Sequence, residues 1–128
     1  MRYAENTSVS VEKSKAEIER TLTRYGACKF MTGWNADKAM IGFEMRDRLI
    51  RFVLPLPDRK EKAFWMTPSG RKTRDEAGAL EAWEQACRQR WRALALAIKA
   101  KLEAVETGIT TFDEEFLAYM VLPNSSTF

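Results

Sequence analysis

The stretch TRDEAGALEAWEQACRQRWRALALAIKAKLEAVET, from Thr73 to Thr107, decides the fold. Its apolar residues Leu80, Trp83, Cys87, Trp91, Leu94, Ile98, Leu102 and Val105 follow one another at steps of 3, 4, 4, 3, 4, 4 and 3. Such steps track the turn of an α-helix, so these side chains fall on one stripe. Thr73-Arg74-Asp75-Glu76 reads as a capping box, with Asp75 and Glu76 favourable beside the positive helix end, and Gly108 supplies the stop. A helix over Thr73 to Thr107 rises about 50 Å, more than the width of a 128-residue domain. The spacing therefore predicts a long amphipathic helix that bends, breaks near Gly78, or projects with part of its stripe left for a partner.

Towards the N-terminus, Ser14-Lys15-Ala16-Glu17 also reads as a capping box. Ile18, Leu22 and Tyr25 fall on one helical face, and Gly26 follows as a terminator. A helix is expected from about Val11, or from Lys15 with Ser14 as its cap, to Tyr25. Three strands then follow: Ala27 to Thr32, Lys38 to Met45 and Arg48 to Leu54. In the second, Ala39, Ile41, Phe43 and Met45 share a face. In the third, Ile50, Phe52 and Leu54 do, with Arg51 on the other side. Turn residues fill Gly33 to Asp37, and Arg46-Asp47 turns the chain again, although it is not the favoured Asn-Gly pair. Pro55 and Pro57 end the last strand.

Residues 55 to 74 form the longest stretch without periodicity, and such stretches are often functional or disordered. Within it, Phe64-Trp65-Met66 reads as a fourth short strand or an anchor into the core. After the long helix, Thr111-Phe112-Asp113-Glu114 is a third capping box. Phe112, Phe116, Leu117 and Met120 line a short last helix stopped by Pro123. The expected architecture is α+β: an N-terminal helix, a three- or four-stranded antiparallel meander, a long amphipathic helix and a short C-terminal helix. It forms a single domain over residues 1–123, with residues 124–128 a flexible tail.

Composition narrows the chemistry. Hydrophobic residues make up 45% of the chain and charged residues 30%, enough for a core without disulfides or metal. Cys28 and Cys87 belong to no Cys-x-x-Cys pair and read as reduced core thiols of a cytosolic protein. The polar start, Met1 to Ser8, lacks the apolar segment of a signal peptide. The run Ala93 to Ile98 is far too short to span a membrane, so no membrane association is expected. The chain has no histidine, which excludes Ser-His-Asp and Cys-His catalysis and histidine zinc sites. Two lone cysteines cannot close a structural zinc site. Neither a Walker A loop nor Gly-x-Gly-x-x-Gly is present. The cluster Asp113-Glu114-Glu115 reads as ordinary stabilisation of a helix start. No enzymatic activity, no catalytic residue, no metal and no cofactor is expected.

Charge is unevenly placed. Residues 58 to 101 hold eleven Lys or Arg against six Asp or Glu, and residues 103 to 115 hold five acids and no base. A basic middle suits an anionic partner, although solubility alone explains a net charge of +3. Arg88, Arg92 and Lys99 occupy a narrow sector beside the long helix's apolar stripe, with Arg90 and Lys101 on its other flank. The irregular stretch adds Arg59, Lys60, Lys62, Arg71, Lys72 and Arg74. Lys and Arg neutralise phosphates, and aromatic rings stack bases, with Trp34 and Trp65 the stacking candidates. Trp83 and Trp91 lie on the apolar stripe and read as core. A plainer role fits the same cations. Arg88 has Glu84 four residues before it and Lys99 has Glu103 four after, so the flank is partly self-paired and solvated.

Trp83 to Leu94, continuing Ile98 to Val105, resembles a family of small proteins encoded by tailed bacteriophages and prophages. Phe43-Glu44-Met45, the strand Arg48 to Pro57, Gly108 to Phe112 and Glu114 to Ala118 carry the same resemblance, which covers residues 1–122. The family has no assigned reaction, so no site residue follows from it. The resemblance implies a bacterial cytoplasm, a phage genome and an accessory role in DNA metabolism or in blocking host defence, CRISPR systems included. Three readings follow. The first is a non-enzymatic binder of nucleic acid, or of a nucleic-acid-bound complex, acting through the basic loop and helix flank. The second is an inhibitor of a host nucleic-acid-binding defence complex, acting by protein contacts through exposed aromatics and the acidic end from Glu103 to Glu115. The third is a structural homodimer built on the long helix.

Overall fold

The computed structural model describes residues 7–67, 69–70 and 72–127. Its elements are α1 (Val11–Arg24), β1 (Lys29–Trp34), β2 (Lys38–Met45), β3 (Arg48–Pro55), α2 (Lys62–Trp65), α3 (Glu76–Glu106) and α4 (Phe112–Phe116), followed by a 3-10 turn at Leu117–Tyr119. The three strands form one antiparallel sheet in the order β1-β2-β3. This is the expected α+β architecture with three strands. Phe64-Trp65-Met66 makes no fourth strand. Phe64 is a buried anchor on the short α2, and Met66 makes only an isolated bridge to Thr73.

α1 begins at Val11 because Ser10, in extended conformation, accepts a hydrogen bond from the Lys13 N–H. Ser14 is therefore not a cap. It lies one turn inside the helix, fully buried, and its hydroxyl has no partner among the described residues. The helix closes when the Ala27 N–H reaches Leu22 O and the Gly26 N–H reaches Thr23 O, with Gly26 at φ +100°. That closure consumes the residues expected to open β1, which starts two residues later, at Lys29. At its other end β1 runs through Gly33 and Trp34, both expected in the turn. Asn35 makes that turn, its side chain accepting from the Asp37 and Lys38 N–H groups and its own N–H donating to Lys38 O. The β2–β3 turn places Arg46 and Asp47 at φ +52° and +61°, a type I′ conformation without the glycine that favours it.

α3 is one unbroken helix of 31 residues. Its cap is Asp75, which accepts from the Gly78 N–H at 2.8 Å, and Gly78 sits in the first turn without breaking it. Thr73 does not cap it, because the chain there is still extended. Arg74 N–H donates to Trp65 O at 2.7 Å. Gly108 (φ +81°) closes the far end. Thr111 accepts from the Glu114 N–H and caps α4 as its sequence box predicts.

The sheet turns Ala39, Ile41, Phe43, Met45, Ile50 and Phe52 onto the inner side of α3, whose Trp91, Leu94, Ala95, Ile98 and Leu102 meet them in one core. Burying each large side chain contributes about 1.5–3 kcal/mol. Phe116 packs edge-on to Phe43 at 6.1 Å and to Phe52 at 6.3 Å, sealing the core from the α4 end. α1 runs beside α3 in the same direction. Gln85 donates to Thr7 O, Arg92 pairs with Glu17, and Tyr25 donates to Glu103. The C-terminal segment folds back on the sheet. Val121 N–H donates to Leu49 O, Leu122 N–H to Ser126 O, and Arg51 to Ser125 O. Residues 124–127, expected as a flexible tail, thus carry a turn tied to β3.

Ser14 provides a test of the α1–α3 packing. A buried hydroxyl without a partner costs free energy, and alanine is the better helix former. Ser14→Ala is expected to raise the stability of the protein by about 0.5–1 kcal/mol, read as an increase in the denaturant midpoint at unchanged slope.

Candidate functional site

The N-terminal turns of α1, the β1–β2 hairpin, the segment after β3 and the first half of α3 enclose a cleft of about 450 Å³. Three of the chain's four tryptophans line it: Trp34, Trp83 and Trp91. Their roles differ. Trp91, 3% exposed, is the floor and belongs to the core. Trp83 is half-buried, and its indole N–H donates to Pro57 O at 2.7 Å, which ties the loop after β3 to α3. Trp34 is 77% exposed at the mouth, because the tight turn at Asn35 leaves the end of β1 beyond the cover of the helices. The hydrogen bond from Leu56 N–H to Asp37 O holds the hairpin against that loop.

Cations sit on these rings. The Lys15 ammonium lies 4.9 Å from the centroid of Trp91, and the Arg59 guanidinium lies 5.2 Å from that of Trp83. Each such contact is worth about 0.5–1 kcal/mol where solvent reaches it. Arg88 enters from α3, held at 2.6 Å by the Gln85 side-chain oxygen and at 3.1 Å by Glu81. Its partners lie three and seven residues back, not at Glu84. Glu12 and Glu84 complete the lining, so the cleft carries both signs of charge.

Of the residues singled out in the sequence, Trp34, Arg59 and Arg88 are brought to this cleft or its rim. Lys60 follows Arg59 on the same exposed loop, and Lys62, also exposed, opens α2. The others go elsewhere. Trp65, 38% exposed, donates its indole N–H to Arg59 O, and Arg74 donates to Phe64 O, so both brace the fold of the loop. Lys72 is exposed near the start of α3. Arg71 lies outside the described residues. Arg92 is half-buried and paired with Glu17 of α1, while Lys99 is exposed two turns further along α3. The predicted basic flank is therefore divided: its middle faces α1, and its two ends are about 16 Å apart along the helix.

The sequence reading missed Lys15, Glu12 and the contribution of Trp83 and Trp91 to a cleft wall. Nothing in the local pattern marks them, because the cleft exists only where α1 lies alongside α3. Cys87 also lines it, buried, and burial raises its thiol above the usual range. Cys28, expected in the core, is exposed instead, with its thiol near Glu44 O at 3.6 Å, because the late start of β1 leaves it in the connection from α1. Both cysteines are free. Away from the cleft, the hydrogen bond to Glu103 raises the Tyr25 phenol.

Among the described residues, no group of three or more His, Cys, Asp or Glu could hold a metal ion, and no helix is long and apolar enough to cross a membrane. Comparison with protein-family models, with curated proteins and with solved structures gives no match.

The two thiols are expected to differ in reactivity. A thiolate is the reacting form, and Cys87 is both covered and shifted upward. Mild alkylation near pH 8 should label Cys28 first. Cys87 should follow only as pH rises further or as the protein unfolds, which peptide mapping by mass spectrometry reads directly. Equal labelling in the folded protein would contradict the packing of α3 described above.

Proposed function

We propose that this chain is a non-enzymatic, phage-type accessory protein that binds single-stranded nucleic acid along the tryptophan cleft and the loop beside it. The observation that carries the reading is Trp34, an indole ring 77% exposed at the mouth of a cleft rimmed by Lys15 and Arg88, with Arg59 across Trp83. An exposed large aromatic ring beside fixed cations suits a base stacked on the ring and phosphates along the cations. Arg59 and Lys60 on the loop and Lys62 at the start of α2 extend the positive charge beside the cleft. Lys15, Arg59 and Arg88 are already oriented by rings or side-chain oxygens, so less side-chain entropy is lost on binding. Stacking tolerates any base, so affinity without strong sequence preference is expected.

Fluorescence anisotropy with labelled single- and double-stranded DNA and RNA tests this reading. Single strands should bind at low salt and weaken steeply as salt rises. Trp34→Ala should weaken binding about tenfold or more. The triple change Arg59→Ala, Lys60→Ala and Lys62→Ala should lower the slope of log affinity against log salt by about 2. Binding that is absent at low salt, or indifferent to salt, would overturn the proposal.

A second reading rests on a different surface. Ile109 is 81% exposed between Glu106 and Asp113, an apolar knob in an acidic segment. Such a surface suits docking into the basic groove of a host nucleic-acid-binding complex without touching nucleic acid. Pull-down from bacterial lysate should then recover such a complex with the native chain and lose it with Ile109→Asp. Equal recovery with both chains would count against it.

A further inference from the structure

The two edges of the sheet are treated differently. Along β3 the outward backbone groups are those of the odd residues, and two of their carbonyls are taken: Leu49 O accepts from Val121 N–H, and Pro55 O accepts from Arg90 at 2.8 Å. Along β1 the register with β2, together with the Asn35 N–H bond to Lys38 O, turns the backbone groups of Lys29, Met31 and Gly33 towards β2. The N–H and C=O groups of Phe30, Thr32 and Trp34 then point out of the sheet. No described residue meets them.

Edge strands are usually blunted by charge, proline or a covering segment. From Phe30 to Trp34 the edge holds no charged residue and no proline. The neighbouring Lys29 is paired with Glu44 at 3.1 Å. Cys28 N–H donates to Glu44 O just before this segment, and the register with β2 then runs unbroken from Lys29 to Trp34. Met31 is 55% exposed and Trp34 77%, so β1 is open along its edge and over much of both faces.

We infer that this edge pairs with the same edge of a second copy, antiparallel about a twofold axis at Thr32, to give a continuous six-stranded sheet. A second copy is favoured over an unrelated strand because the segment is its own complement. Pairing about Thr32 sets Phe30 against Trp34 and Thr32 against Thr32. All three pairs involve residues whose backbone groups point outward, so every free N–H meets a carbonyl. On the outer face it sets Met31 of each copy against Gly33 of the other, and the space where a Gly33 side chain would stand is empty for 4 Å around. A register shifted by one residue would turn the paired backbone groups away from each other. One shifted by two would lose the Met31–Gly33 match. Aromatic and threonine cross-strand pairs add to the ladder. The long helix, by contrast, exposes Leu80 alone of its stripe, with Trp83 and Val105 half-buried and Cys87, Trp91, Leu94, Ile98 and Leu102 buried within the chain itself.

Sedimentation or light scattering over a concentration series, without nucleic acid, tests the inference separately from the binding proposal. The native chain should pass from monomer to dimer as concentration rises. Thr32→Pro removes an N–H that points away from β2, so it should abolish the dimer while leaving the circular dichroism and melting temperature near native values. Gly33→Ile fills the space needed by Met31 of the second copy and should raise the dimer midpoint at least tenfold. In a Cys28→Ser background, Thr32→Cys should form a disulfide-linked dimer under mild oxidation. Facing Cα atoms at the axis lie about 5.5 Å apart, within disulfide reach. A chain that stays monomeric at every concentration overturns the inference. So does a dimer that survives Gly33→Ile unchanged, or one in which Thr32→Cys fails to crosslink. Should Thr32→Pro unfold, the other two variants still decide.

Discussion

The core of this protein is governed by a mismatch of lengths. A helix of 31 residues rises about 46 Å, while a strand of eight residues spans about 26 Å. The inner face of the sheet can cover only part of the stripe on α3, around Trp91, Leu94, Ile98 and Leu102. Further elements must cover the remainder. α2 brings Phe64 against the N-terminal end, α1 lies along the middle, and α4 brings Phe112 and Phe116 against the C-terminal end. Each helix other than α3 is placed by that need, and so is the loop between β3 and α3.

The cleft is a consequence of the same arrangement. α1 and α3 run in the same direction and are fastened by Glu17 to Arg92 and by Tyr25 to Glu103. Between their N-terminal turns and the β1–β2 hairpin the packing leaves a gap walled by tryptophan. Wide rings can form such a wall while still contributing apolar area to the core, as Trp91 does. The cations on the rings then become part of the cleft instead of a general basic surface. This separates Arg59 and Arg88, which reach the cleft or its rim, from Arg92, which the same helix directs into an ion pair.

Much of the fold was legible because it depends on local periodicity. The 3-and-4 steps along α3 from Cys87 to Leu102, the alternation in β2 and β3, and the Thr111 cap of α4 appear in the structure as the pattern implies, whereas Leu80, expected on the buried stripe, is 36% exposed near the start of α3. The two misplaced caps share one cause. Ser14 and Thr73 both have the residue spacing of a cap, but Ser10 and Asp75 hold those positions. A capping box states which residues can satisfy a free N–H. It does not state where the chain first leaves the extended conformation, and for Thr73 that was settled by pairing with Met66. Trp34, expected in the turn, ends a strand instead, because Asn35 reverses the chain by itself through its side chain and its backbone N–H.

The sequence by itself determined the main helices and strands, their order, most of the buried faces and the absence of histidine chemistry, but not the short helix α2. These follow from side-chain type and spacing along a regular backbone, which need no knowledge of what lies opposite. Only the tertiary structure decided which cations share a site, which tryptophans form a wall, and which sheet edge is left open. Those are relations between residues far apart in the chain. Lys15 meets Trp91, Arg59 meets Trp83 and Val121 covers Leu49, because the long helix and the short sheet had to be closed together. The long helix is an α-helix because of its own spacing. Its partners, and the surfaces left to meet another molecule, are set by what was needed to cover it.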